Sequence, residues 1–107
     1  MTHRVELVYD RDCPHVDEAR ALLVQAFTQA GIATVWQEWE RKAPESPVYV
    51  RNYGSPTILV NGRDVAGVDP GEGIDCCRLY QDEQRGLHGV PALNLIVAAL
   101  LRKAEYA

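Results

Sequence analysis

The sequence predicts one mixed α/β domain whose elements follow the order β-α-β-(α)-β-β-α around a central mixed four-stranded sheet. Three features predict this: a strand pattern that changes to a helical period at Pro14, a continuous apolar run over residues 56–60, and the Asn61-Gly62 turn that follows it. A chain of 107 residues has the length of a single domain, so we assign residues 1–107 to one domain.

The first strand and the first helix have the clearest signals. Residues 5–9 are rich in β-branched and aromatic side chains, and the acidic turn that begins at Asp10 ends this strand. From Pro14 onwards apolar side chains recur at helical spacing, and Gly31 supplies a stop signal. The apolar stripe consists of Val16, Ala19, Leu22, Leu23, Ala26, Phe27 and Ala30.

The middle of the chain alternates between extended segments and turns. Residues 33–39 predict a second strand, which runs parallel to the first because a helix connects the two. Residues 47–53 are expected to form a short helix that begins at a proline. The apolar run 56–60 predicts a strand buried on both faces, and the Asn61-Gly62 turn returns residues 63–67 antiparallel to it.

The sequence of the last third of the chain predicts loops followed by a helix. Residues 68–75 and 81–89 are polar or rich in glycine and indicate loops, and residues 76–80 predict a short extended or helical piece. Pro91 opens the final helix, which we expect to pack back onto the sheet. Its apolar stripe consists of Leu93, Ile96, Val97, Leu100 and Leu101.

Composition and charge limit the functions open to the chain. Apolar residues make up 47% and charged residues 24%, as in ordinary globular proteins. The net charge of −4 argues against nucleic acid or an anionic membrane as a partner, because both select a basic face. We read no secretory signal and no apolar segment long enough to span a bilayer, so we expect a cytoplasmic protein.

Two short motifs carry a resemblance to a known family. They are Cys13-Pro14-His15-Val16, between the first strand and helix, and Gly54-Ser55-Pro56-Thr57, at the start of the third strand. In this order and on these elements they resemble the motifs of thioredoxin-like proteins, and residues 55–67 are most similar to glutaredoxins and other small redox proteins. The resemblance implies a thioredoxin-like fold with helices on both faces of the sheet, and a cis peptide bond before Pro56 beside a reactive Cys13.

The chain departs from the dithiol pattern at Val16, where thioredoxins have a second cysteine. Any resolving thiol must therefore come from elsewhere in the chain or from another molecule. Glutaredoxins favour a basic residue shortly before the cysteine, and here Asp10 and Asp12 flank Arg11. Glutathione is accordingly one candidate co-substrate and not a required one, and no resident cofactor is expected.

Cys13 is the candidate nucleophile for thiol–disulfide exchange with a small-molecule or protein substrate. A thiol at a helix N-terminus faces unsatisfied N–H groups and the positive end of the helix dipole, and both stabilise the reactive thiolate. His15, in the first turn, is a candidate cation or proton carrier. Asp10, Asp12 and Asp17 act in the opposite direction, because negative neighbours disfavour a thiolate. The candidate substrate-binding residues are Pro14, His15, Ser55 and Pro56.

The adjacent pair Cys76-Cys77 is the candidate source of a resolving thiol. Adjacent cysteines rarely bond to each other because the small ring strains the disulfide, so one of them could attack a mixed disulfide formed at Cys13. In an extended segment Cys77 lies on the same side as Leu79, and a core-facing Leu79 makes Cys77 the more buried of the two. The alternative is that both cysteines only pack, since unbridged cysteine is among the most buried residue types.

The same cysteines suggest a second class of function. Cys13 with Cys76 and Cys77 would form a soft thiolate site for mercury, arsenite or Cu(I), with zinc and His15 as a weaker option. The spacing does not match a zinc finger. The chain also resembles small thioredoxin-like proteins associated with organomercurial or heavy-metal handling, which implies the same ligand class.

A third class is a thioredoxin-like binding module without redox chemistry. Trp36 and Trp39 are three positions apart, so in a regular strand they point to opposite faces and one of them is available to a partner. The last helix is a candidate homodimer face, because Leu95 lies off its main apolar stripe.

Overall fold

Six strands and three helices make up the described part of the chain. We describe it from a computed structural model over residues 3–69, 71, 78–82 and 86–102. The strands are β1 (Val5–Tyr9), β2 (Gln37–Glu40), β3 (Thr57–Val60), β4 (Arg63–Asp64), β5 (Tyr80–Asp82) and β6 (Gly86–His88). The helices are α1 (Val16–Ala30), a 3-10 helix (Val48–Asn52) and α2 (Leu93–Leu101).

A four-stranded mixed sheet with the order β2-β1-β3-β4 organises the structure. β2 runs parallel to β1, with Leu7 in register with Glu38, and β3 runs antiparallel to β1, with Leu7 opposite Ile58. The Asn61-Gly62 turn has positive φ at both residues, as a tight hairpin requires, and connects β3 to β4. β5 and β6 form a separate antiparallel pair. The predicted mixed α/β class and the four-stranded mixed sheet are confirmed.

Alternation along the strands divides the core between the two faces of the sheet. On one face Leu7 and Ile58 pack against both α-helices, as part of the larger apolar cluster. On the other face Val8 and Leu59 pack against Val50 of the 3-10 helix. Among the described residues, both α-helices therefore cover one face and the 3-10 helix covers the other.

Helix α1 forms as its apolar period predicts. Its buried side chains recur at helical spacing: Val16, Ala19, Leu23, Ala26 and Phe27. Gly31 ends the helix in the left-handed conformation, at a φ of 72°, and its N–H closes onto the carbonyls of Phe27 and Thr28. Beyond this cap, Trp36 stacks on Phe27 with 6.1 Å between ring centroids. Trp39 packs against the opposite cluster, so the prediction that the two tryptophans face opposite sides is confirmed.

The predicted extents of two strands and the predicted burial of one leucine were wrong, each for a physical reason. β2 begins at Gln37 rather than at residue 33, because its first partner on β1 is Glu6 and Val35 is 70% exposed. β4 contains only two residues, because the chain turns at Gly67, whose N–H binds the carbonyl of Asp64. Leu101 is 63% exposed rather than part of the buried stripe, because α2 ends there.

The segment predicted as a loop over residues 81–89 contains strand structure. The ends of the hairpin pair Tyr80 with His88 and Asp82 with Gly86. Leu87, in the second strand of the hairpin, is 63% exposed. Strands that bury so little of one face show no regular alternation of apolar and polar residues in the sequence. For this reason the pattern predicted a loop rather than two strands.

No helix within the described ranges is long and apolar enough to cross a membrane.

An ion pair joins α1 to the edge strand β2. Arg20 donates from Nε and Nη2 to the two carboxylate oxygens of Glu38, at 3.0 and 2.9 Å, and Trp36 Nε1 donates to Glu38 Oε2 at 3.0 Å. The hydrogen bond from Arg20 lowers the pKa of the Glu38 carboxyl below its ordinary value of 4.5. Because the folded-state pKa is lowered, the stabilisation is present above pH 4.5 and is lost as the pH falls through the folded-state value.

We expect Glu38→Gln to lower the free energy of unfolding at pH 7 by roughly 0.5–1 kcal/mol, because the ion pair between Arg20 and Glu38 is bidentate but partly exposed. The difference should shrink towards zero at a pH at which Glu38 is protonated in the folded state. Urea unfolding at the two pH values measures this difference. Glu45→Gln, at an exposed position, is the control and should change neither value appreciably. If Glu38→Gln lowers the free energy of unfolding equally at both pH values, the loss does not come from the ion pair between Arg20 and Glu38.

Candidate functional site

Cys13 lies in the turn between β1 and α1. Its N–H donates to the carbonyl of Asp10 at 3.0 Å, which closes the turn. α1 begins at Val16, so the cysteine lies two residues before the N-cap, His15. Its half-buried side chain packs against the larger apolar cluster. The unsatisfied N–H groups of the first helical turn lie at the end of α1 nearest this cysteine, which gives the site a positive potential.

His15 packs against the segment that leads into α2. Its carbonyl accepts the N–H of Ala19 at 3.0 Å, and its Nδ1 lies 3.8 Å from Glu18 Oε1. The other side of the ring lies so close to Gly89 that a Cβ at this glycine would be 2.4 Å from ring atoms. Only glycine permits this contact without displacing the ring. The segment that leads into α2 therefore lies beside the predicted site at Gly89.

Ser55 connects the turn of Cys13 to the start of β3. The Ser55–Pro56 bond is cis, as the resemblance implied. Ser55 is fully buried, and its Oγ accepts the N–H of Asp10 at 2.8 Å. The turn that contains Cys13 and the loop that contains Pro56 therefore meet, as the sequence predicted.

The carbonyl of Ser55 is occupied by the chain itself. The N–H of Arg78 donates to it at 2.8 Å. Two further bonds attach the same segment to the same loop: Arg78 Nη1 donates to Thr57 Oγ1 at 3.1 Å, and the Tyr80 hydroxyl donates to the Pro56 carbonyl. Residues 78–80 thus lie along the loop that contains Ser55 and Pro56, two of the candidate substrate-binding residues.

The sequence-based expectation for Leu79 was wrong. Leu79 is 66% exposed, whereas Tyr80 is 4% exposed and the Arg78 side chain is 15% exposed. Arg78 and Tyr80 turn inward because each finds hydrogen-bond partners there. The premise that favoured Cys77 over Cys76 is therefore removed. Both cysteines lie outside the described residues.

Arg78 forms a buried ion pair at this position. Its Nη1 lies 2.6 Å from Asp64 Oδ2, and the Asp64 side chain is 1% exposed. The guanidinium carbon lies 4.1 Å from the centre of the Tyr80 ring, within the range of a cation–π contact. Burial raises the pKa of the Tyr80 hydroxyl above its ordinary value of 10.0, so the hydroxyl remains a hydrogen-bond donor at neutral pH.

The acidic residues around Cys13 are largely paired with arginines. Asp10 Oδ2 lies 2.7 Å from Nη1 of the buried Arg41, and Asp17 Oδ1 lies 2.9 Å from Arg20 Nη1. The sequence suggested that three aspartates oppose a thiolate at Cys13, and the pairs reduce the effect of two of them.

The proposed thiolate metal site includes two residues outside the described ranges, Cys76 and Cys77. Within the ranges that the structure describes, no group of three or more His, Cys, Asp or Glu side chains is arranged to hold a metal ion.

Comparisons with known proteins identify no relative: no family model, curated protein or solved structure matches the chain.

Sequence reasoning missed two ion pairs at this site. Asp10 pairs with Arg41, and Asp64 pairs with Arg78. The only available signal was that Asp64 lies in the strand predicted over residues 63–67. Nothing in the sequence indicated which arginine each carboxylate would meet.

We expect Ser55→Ala to leave the Asp10 N–H without its acceptor and to lower the free energy of unfolding by about 1–2 kcal/mol. Hydrogen exchange at the Asp10 amide should accelerate more than at amides of α1. Ser46→Ala removes another buried serine hydroxyl, which donates to the carbonyl of Glu40, and should leave exchange at Asp10 unchanged. If hydrogen exchange at the Asp10 amide is unchanged in Ser55→Ala, the result contradicts the hydrogen bond from Asp10 to Ser55.

Proposed function

We propose that the chain is a thioredoxin-like protein that performs thiol–disulfide exchange at Cys13. The sheet order supports this proposal, since β2 runs parallel and β3 antiparallel to the adjoining central strand. The placement of both α-helices on one face, with the 3-10 helix on the other, also supports it. A reactive thiol needs a reducing compartment, and the cytoplasm is the compartment that we propose.

One observation carries the proposal: Ser55 is an anchor shared by the turn of Cys13 and by the chain next to Cys77. The Asp10 carbonyl accepts the N–H of Cys13, and the Asp10 N–H donates to Ser55 Oγ. The N–H of Arg78 donates to the Ser55 carbonyl. Cys77 is the residue before Arg78 in the sequence. A disulfide needs Cα atoms within about 7 Å. Because Cys76-Cys77 directly precedes Arg78 in the chain, this anchor supports the proposal that one of the two cysteines supplies the resolving thiol.

The proposed reaction proceeds in two displacements. The Cys13 thiolate attacks one sulfur of a substrate disulfide, forms a mixed disulfide and releases one substrate thiolate. The thiolate of Cys76 or Cys77 then attacks the Cys13 sulfur, which releases the second substrate thiolate. The substrate gains two electrons and the protein becomes oxidised, with Cys13 bonded to the resolving cysteine. An external thiol reductant, for which glutathione is one candidate, returns the protein to the dithiol state.

Electrostatics at the turn support Cys13 as the attacking group. A helix N-terminus is an environment that favours a thiolate, and Asp10, one of the acidic residues of the turn, is paired with Arg41. His15 lies two residues away on the same turn and can transfer protons to or from the leaving thiolates.

The proposal predicts a disulfide between Cys13 and Cys76 or Cys77 after mild oxidation of the reduced protein. Peptide mapping by mass spectrometry identifies the link. Cys13→Ser should abolish both the link and the reduction of a small disulfide such as hydroxyethyl disulfide. Of Cys76→Ser and Cys77→Ser, the one that removes the resolving thiol should accumulate the mixed disulfide.

Other outcomes would favour the other function classes. If the protein binds mercuric ion or phenylarsine oxide stoichiometrically through Cys13 but reduces no disulfide, it is a soft-metal binding protein. The shared anchor supports this second candidate too, because both chemistries need neighbouring thiols. If Cys13→Ser retains all measured behaviour, the chain is a binding module.

We expect Arg41→Gln to slow alkylation of Cys13 at pH 7 by roughly three- to tenfold, because the Asp10 carboxylate then opposes the thiolate without its cation. Asp10→Asn combined with Arg41→Gln removes both charges and should restore most of the rate. Iodoacetamide labelling in a variant that retains Cys13 as its only cysteine measures the rate. Equal rates in all three proteins would show that this pair does not influence the thiol.

A further inference from the structure

We propose that Gly89 is a positioning residue for His15: its backbone forms a seat that holds the imidazole at the turn of Cys13, where the ring transfers the proton of the thiol exchange. The inference rests on the proposed exchange at Cys13. It deepens that proposal by naming the residue that keeps the proton carrier in place.

The imidazole of His15 lies face-on against the backbone of Gly89. A Cβ added at Gly89 would be 2.4 Å from Cγ, 2.4 Å from Cδ2 and 2.5 Å from Nε2 of the ring. A point in the ring plane beyond Cδ2 would be clearly nearer to Cδ2 than to the two atoms bonded to it, so the near-equal distances place the missing Cβ above the ring face. The imidazole therefore occupies the space that a side chain at this position would fill.

The close approach of the ring, and not the backbone conformation, requires glycine at position 89. The φ of Gly89 lies outside the left-handed region that favours glycine. By contrast, Gly86 in the same hairpin has a φ of 75°, and a Cβ added there would meet no described atom within 4 Å. The two glycines therefore serve different purposes, and of the two it is Gly89 that contacts the candidate site.

Buried neighbours hold Gly89 in place. On one side Val90 is 1% exposed and belongs to the larger apolar cluster. On the other side His88 pairs with Tyr80 in the β5–β6 hairpin, and the Tyr80 hydroxyl donates to the Pro56 carbonyl. The seat is thus fixed both to the core and to the loop of Pro56.

The imidazole is the group that would move if the seat were filled. The His15 side chain is 38% exposed, and its Nδ1 lies 3.8 Å from Glu18 Oε1. The side chain makes no capping hydrogen bond at the start of α1. Because a partly exposed side chain is displaced more readily than a buried backbone, a Cβ at Gly89 should turn the ring away from its place and leave the fold intact.

The position of the ring matters for the exchange because His15 is two residues from Cys13. Their Cα atoms are at most about 7 Å apart, since each residue extends a chain by no more than about 3.6 Å. In the exchange, neutral His15 takes the proton of the Cys13 thiol while the sulfur attacks a substrate disulfide. The S–S bond breaks, its electron pair goes to the departing sulfur, and the imidazolium returns the proton to that thiolate. A thiol and a disulfide thus become a mixed disulfide and a new thiol, with no net change in protons.

The experiment measures the rate at which hydroxyethyl disulfide forms a mixed disulfide with the full chain that retains Cys13 as its only cysteine, followed by mass spectrometry. We expect Gly89→Ala to slow this reaction roughly tenfold, because a displaced proton carrier keeps only part of a contribution of roughly 100-fold. His15→Ala should slow it at least as much. The double variant should react no more slowly than His15→Ala, because the added methyl group then has no ring to displace.

Two control variants separate positioning from general damage. Gly86→Ala forces alanine into a left-handed φ in the same hairpin, so it should lower the unfolding temperature and leave the rate unchanged. His3→Ala removes a histidine that contacts Asn61 at the β3–β4 turn and should also leave the rate unchanged. If Gly89→Ala does not fold, the double variant should fold again because the ring is gone, and a failure that persists there overturns the inference.

The outcomes separate this inference from the proposed function. If the chain with Cys13 alone forms no mixed disulfide, the proposed exchange and the inference both fail. If it forms the mixed disulfide and folded Gly89→Ala reacts at the same rate, the inference alone fails. The inference also fails if His15→Ala has no effect, or if the two losses multiply in the double variant, because Gly89 then acts through the fold and not through the ring. Losses that do not multiply, with Gly86→Ala at the unsubstituted rate, support the role of Gly89.

Discussion

The buried hydroxyl and carbonyl of Ser55 are the contacts on which the rest of the candidate site depends. The hydroxyl accepts the N–H of Asp10, a residue 45 positions away, and the carbonyl accepts the N–H of Arg78. Neither partner is adjacent in sequence, so each bond closes a long loop that must be ordered against chain entropy. Burial makes these bonds obligatory, because a buried polar group without a partner costs more than the bond itself contributes. One residue therefore fixes both the turn of Cys13 and the chain that follows the cysteine pair.

The elements predicted well from the sequence are those with strong local signals. β1, α1 and β3 follow from residue type and period, and each has its own buried stripe or buried run. The extent of β2 was not predictable in this way, because it depends on which residues of β1 offer a partner. In the site, the resemblance carried by the two motifs implied that the turn of Cys13 and the loop of Pro56 lie together, and the bond from Asp10 to Ser55 joins them. They did not predict the pairing of Asp64 with Arg78, because a contact between distant polar residues leaves no periodic trace in a single sequence.

Val16 is a core residue at the start of α1. In a dithiol protein this position holds the second cysteine, whereas here Val16 is 6% exposed and belongs to the apolar cluster beneath α1. A side chain committed to the core stabilises the first turn of the helix by burial and has no redox chemistry. In the proposed mechanism the second thiol then approaches on the segment held by Arg78 and Tyr80.

The composition of β2 also affects how copies of this chain behave towards each other. β2 is an edge of the four-stranded sheet, and its sequence Gln37-Glu38-Trp39-Glu40 places two carboxylates on that edge. At the opposite edge, β4 ends after two residues. Unpaired strand edges recruit strands from other molecules, and charge and shortness are two ways in which proteins prevent this. The carboxylates of β2 and the shortness of β4 are therefore features that disfavour edge-to-edge pairing between copies of this sheet.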